Sequence, residues 1–73
     1  MQTIETMKAK FNRLTEGTRE WVAMEAGRYL DAFVAQDWRT ADISYSNVKT
    51  YIPLRGSQAE SVLEFDFLTL IAK

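Results

Sequence analysis

The sequence predicts an α+β fold in which one long N-terminal helix is followed by a two-stranded antiparallel β-hairpin, all in a single small domain over residues 1–73. Three observations lead there. Apolar residues recur with helical spacing from Ile4 to Phe33. The segment ISYSNVKTYI at 43–52 is rich in β-branched and aromatic residues. The tail around LEFDFLTLI alternates apolar and acidic residues in its first half, as a half-buried strand does.

On a helical wheel at about 100° per residue, Ile4, Met7, Phe11, Leu14, Thr18, Trp21, Val22, Tyr29, Ala32 and Phe33 fall in one stripe. The phase does not slip at Gly17, so the spacing predicts one continuous helix, although Gly17 and Gly27 each cost about 1 kcal/mol relative to Ala. The alternative is a break near Gly17, with a short helix ending near Leu14 and a second helix capped by Thr18. Ala23, Ala26, Leu30 and Val34 widen the stripe in the second half, which is therefore expected to be the better buried. Pairs such as Glu5 with Lys8, Arg13 with Glu16 and Arg28 with Asp31 decorate the outer face.

QDWRTAD at 36–42 reads as a connection. In the first strand, Ile43 and Tyr45 occupy one phase and Val48 and Ile52 the other, so a bulge near Ser46 and Asn47 is needed to bring all four to one face. Pro53 ends the pairing and LRGSQAE supplies a turn. The tail has two readings. Ser57-x-x-Glu60 could open a helix as a capping box, and Leu63, Phe67, Leu70 and Ile71 would then share a face. As a strand, Leu63, Phe65, Phe67 and Ile71 face one way while Glu64 and Asp66 form a solvated outer face about 7 Å apart. A lone first strand would have no ladder, so the strand reading is taken for both.

Chemistry is limited by what is missing. The 73 residues contain no Cys and no His, which removes disulfides, thiolate nucleophiles, the usual general base and the commonest metal ligands. No catalytic, cofactor-binding or metal-binding residues are predicted, and the chain is read as a non-enzyme. A net charge of −1 with 26% charged residues provides no field to gather nucleic acid or an anionic membrane. The N-terminal segment lacks the apolar run of a signal peptide and no stretch is long enough for a membrane span, so a cytoplasmic location is expected.

The function expected from these features is protein–protein interaction: an adaptor, inhibitor or small regulator acting as a homo-oligomer, most simply a dimer, with a further protein partner. A short, motif-free, near-neutral chain also suits an accessory protein of a phage or mobile element. The competing class is a nucleic-acid-associated regulator, for which Lys8, Lys10, Arg13 and Arg19 could supply contacts; they scatter round the wheel among Glu5, Glu16 and Glu20.

The candidate interface comprises Ile4, Met7, Phe11, Leu14, Trp21, Glu25, Trp38, Leu68 and Leu70. A 34-residue helix spans about 50 Å and a ten-residue strand about 33 Å, so the hairpin leaves the seam of Ile4, Met7, Phe11 and Leu14 for a second copy. Glu25 interrupts the apolar stripe and either reaches solvent or pairs with Arg28 as the helix rolls, or is a polar register key. Trp21 and Trp38 read either as core anchors or as interface anchors. Leu68 and Leu70 make the end of the last strand apolar on both faces, which one helix cannot cover.

Overall fold

The computed structural model describes residues 3–55 and 62–72. They form four helices: α1 (Ile4–Asn12), α2 (Glu16–Val34), α3 (Trp38–Lys49) and α4 (Val62–Ile71). No strand occurs among the described residues, which overturns the expected β-hairpin and with it the α+β class. The first expected strand lies in α3 and its following turn, and the tail is α4. In α3 a helical period buries Ala41, Ser44, Tyr45 and Val48, with Ile52 one turn further, and this face needs no bulge. Strand propensity yielded to the pattern that buries most, as it does in tertiary context. The Ser57 and Glu60 box lies outside the described residues.

The long helix is also broken, at residues 13–15. Thr3 opens α1 with a reciprocal capping box: Thr6 N–H donates to Thr3 Oγ1 at 3.2 Å and Thr3 N–H to Thr6 Oγ1 at 2.8 Å. Thr15 opens α2 by accepting from Thr18 N–H at 3.4 Å, so the cap is Thr15 and Gly17 sits inside the first turn of α2. Arg19 reaches back from α2 and donates Nη1 to the Leu14 carbonyl at 2.7 Å and the Asn12 carbonyl at 3.3 Å. These carbonyls near the end of α1 have no helical donor of their own, so one guanidinium both caps α1 and fixes the elbow.

α2 stops in a Schellman arrangement. Gln36 takes the left-handed conformation (φ 58°), its N–H donates to Phe33 O at 3.1 Å, and Asp37 N–H donates to Ala32 O at 2.9 Å. Asp37 then caps α3, accepting from Thr40 N–H at 3.3 Å and Thr40 hydroxyl at 2.7 Å. One residue thus closes α2 and opens α3. The reversal occupies only three residues, and α2 and α3 pack as an antiparallel pair.

α2 is the central element, packed on α3 and α4, while α1 packs on α4. Val22, Ala26 and Tyr29 of α2, Tyr45 and Val48 of α3, Met7 of α1 and Phe67 and Leu68 of α4 are fully enclosed. Rings link the layers: Tyr29 meets Tyr45 at 5.3 Å, Phe33 meets both Trp38 at 5.4 Å and Phe65 at 5.3 Å, and Phe11 meets Phe67 edge-on at 6.5 Å. Glu64, expected on a solvated strand face, is instead buried, and its Oε2 accepts Arg55 N–H at 2.8 Å. Asp66 remains exposed. The helix separates by rotation two carboxylates that a strand would have aligned.

The longest dimension is 31 Å, well short of a continuous 34-residue helix at about 50 Å. The accessible surface is 4628 Å², and a compact chain of 8.4 kDa is expected to show about 4600 Å². The seam that a single helix would have left uncovered is folded back onto α4.

Candidate functional site

The nine expected interface residues divide by burial. Met7 and Leu68 are fully enclosed, Glu25 is buried, and Ile4, Phe11 and Leu14 are partly buried against the core. Trp21, Trp38 and Leu70 remain exposed. The both-sided apolar end expected of the last strand does not arise, because in α4 Leu68 points into the core and Leu70 outward.

Phe11 and Leu70 come together although they are far apart in sequence. Both line a groove of about 430 Å³ between α1, the first half of α2 and the end of α4. Phe11, Ala23, Leu70 and Ile71 supply its apolar surface, and Lys8, Glu16, Arg19 and Glu20 supply charges of both signs around it. Each element contributes for a local reason. Phe11 is held by its edge contact with Phe67. Glu16, Arg19, Glu20 and Ala23 follow helical spacing along one flank of α2. Leu70 lies one position before Ile71, so the two straddle the groove and the core margin. The α2 flank reads in sequence as ordinary solvated surface, and only the return of α4 across it reveals a groove.

A second exposed feature lies where the α2–α3 pair ends. Trp21 and Tyr51 meet edge to face at 5.9 Å, and both keep a substantial exposed area. Trp21 was legible as an anchor; its partner is Tyr51, from the turn that follows α3. Glu25 lies one turn along α2 from Trp21. Its Oε1 contacts Arg28 Nη1 at 3.5 Å, the pairing expected for Glu25, and of the two partners expected for Arg28 it takes Glu25 and not Asp31. Trp38 stands apart, packed edge-on against Phe33.

Other polar groups are engaged in structure. Arg19 is committed to the α1 carbonyls, which takes one member from the basic set of Lys8, Lys10, Arg13 and Arg19. Hydrogen bonds from the Thr40 hydroxyl and amide hold the Asp37 carboxyl below its ordinary 3.8. No group of three metal-ligating side chains gathers among the described residues, and none of the described helices is long and apolar enough to cross a membrane. The sequence matches no protein-family model and no curated protein, and the fold matches no solved structure.

Proposed function

We propose that this chain is a non-enzymatic protein-interaction module, a small regulator, adaptor or inhibitor, that self-associates through the groove between α1, α2 and α4. The observation that carries this reading is the composition of the groove. Its apolar surface, with Phe11 and Leu70, is bordered by Lys8 and Arg19 on one hand and Glu16 and Glu20 on the other. A two-fold contact brings the same patch from both copies together. A patch with both signs can set opposite charges against each other across a two-fold axis, whereas a single-sign patch repels its own copy.

The contact differs from a bare helix-to-helix seam. Met7 is enclosed within its own chain and Phe11 is shared between the core and the groove, so Leu70 is the residue free to enter a partner. It is 57% exposed, and a charge there disturbs no core packing. Sedimentation equilibrium across micromolar to millimolar concentration tests the reading. The expected result is reversible self-association of the native chain and its loss in Leu70→Glu, with circular dichroism and melting temperature unchanged. A native chain that stays monomeric throughout overturns self-association; a Leu70→Glu chain that associates like the native one overturns the groove as its site.

A further inference from the structure

The apolar stripe keeps its helical phase from Ile4 to Phe33 although the chain turns within it. A turn places no demand on phase, whereas a straight helix needs it to keep one face apolar. The bent chain leaves that continuity unused.

The elbow at residues 13–15 is built so that it can straighten. Its residues are Arg, Leu and Thr, with neither proline nor glycine among them, so the covalent chain allows a helix there. Arg13 already has helical angles (φ −80°, ψ −13°), and Thr15 has a helical φ of −64° and departs only in ψ, at 159°. A helix through the elbow pairs the first N–H groups of α2 with the last carbonyls of α1, groups that helix ends otherwise leave without helical partners. The bend is held by hydrogen bonds at or near the surface. Thr15 accepts from Thr18 N–H at 3.4 Å, and Arg19 donates to the Leu14 and Asn12 carbonyls at 2.7 and 3.3 Å.

Straightening carries α1 away from α4. It separates Phe11 from Phe67, which meet edge-on at 6.5 Å, and uncovers the fully enclosed Met7. A second copy opened in the same way offers the same two surfaces. Each α1 can then close on the other copy's α4 through the contacts it makes within one chain, and the exchange is symmetric and closed. The two forms differ mainly at the elbow.

We infer that this chain exchanges α1 with a second copy of itself, the elbow straightening so that residues 4–34 form one helix and α1 seats on the α4 of the other copy. This goes beyond association through the groove, which joins closed chains; exchange joins opened ones and is slow, because α1 must first leave a buried site.

Two substitutions move the elbow in opposite directions. Glu16→Pro keeps the bend: residue 16 opens α2, where proline is favoured, and Thr15 already has the extended backbone that precedes proline. A continuous helix would lose a hydrogen bond there and clash with the ring. Thr15→Ala removes the cap and favours helix. The chain is held at millimolar concentration, diluted to micromolar, and sized by chromatography with light scattering over hours. A dimer that outlives dilution is expected in the native chain and in Leu70→Glu, and none in Glu16→Pro. In Thr15→Ala it is expected to be at least roughly tenfold tighter, since the cap is lost at both elbows. In a dimer of one isotope-labelled and one unlabelled chain, the ring cross-peak of Phe11 with Phe67 is expected between chains. Phe67 is fully enclosed, so closed chains meeting at the groove do not produce it.

No persistent dimer of the native chain, a persistent dimer in Glu16→Pro, or a cross-peak confined to one chain each overturns the exchange. So does a persistent dimer that Leu70→Glu abolishes, which would belong to the groove. Should Glu16→Pro fail to fold, the strengthening in Thr15→Ala decides, and its absence overturns the proposal.

Discussion

Glu64 and Tyr45 together satisfy both backbone groups of Arg55: the carboxylate accepts its N–H at 2.8 Å and the phenol donates to its carbonyl at 2.8 Å. The phenol also lies 3.5 Å from the same carboxylate, but its single hydrogen serves the shorter contact. Two buried side chains thus pin the segment leaving α3 against the start of α4.

Removing the acceptor at Glu64 takes away the partner of the part-buried Arg55 amide. Glu64→Leu is expected to lose about 1–3 kcal/mol, a large share of the roughly 4–11 kcal/mol available to a chain of this size. Glu64→Gln, which keeps a carbonyl oxygen, is expected to lose less. Urea unfolding reads both through the midpoint at an unchanged slope; equal losses would show that charge and size, rather than the acceptor, matter.

Gly17 predicts a gain. It lies in the first turn of α2 with open space where a Cβ would stand, so Ala fits and restricts the unfolded chain. Gly17→Ala is expected to add about 0.5 kcal/mol and to raise the melting temperature by roughly 2–4 °C. A lowered melting temperature would mean that the elbow needs glycine's freedom.

Asp37 makes stability depend on acid. Its carboxyl is held below 3.8 in the folded chain by Thr40, so its contribution is complete above that ordinary value and is lost as pH falls through the lower folded one. Asn caps helices as well as Asp does but does not titrate. Melting temperatures of the native chain and Asp37→Asn are expected to differ most near neutral pH and to converge toward about pH 2. A constant gap would assign the difference to shape instead of charge.

The apolar stripe from Ile4 to Phe33 was legible in the sequence; the break within it was only the alternative reading, placed near Gly17 with Thr18 as the cap, whereas the turn lies at 13–15 with Thr15 as the cap. Three residues at the elbow turn the chain without dropping the helical count, so the phase runs on while the axis changes. The decisive signal is Arg19 on the Asn12 and Leu14 carbonyls, a contact that spacing does not announce. In α3 the residues 41, 45, 48 and 52 did carry a helical period, masked by the strand propensity of their neighbours. The need for a bulge at Ser46 and Asn47 was the warning, because a helix required none. In α4 the helical set of Leu63, Phe67, Leu70 and Ile71 was visible, yet a helix apolar on nearly every side shows little contrast between faces. Glu25 was recognisable as an anomaly from its place in the stripe. Phe11 and Leu70 were recognisable one by one; their meeting depends on α4 crossing α2, which only the folded chain reveals.

The edge contact of Phe11 with Phe67 sets an order of events during synthesis. α1 is made early, but the helix it packs against is made late, and the intervening stretch takes roughly 3–10 s at ordinary elongation rates. Through that interval Met7 and Phe11 have no α4 to cover them, even after α2 and α3 have closed on their three-residue turn. The nascent chain therefore carries Met7 and Phe11 uncovered until the last turns of α4 close over them.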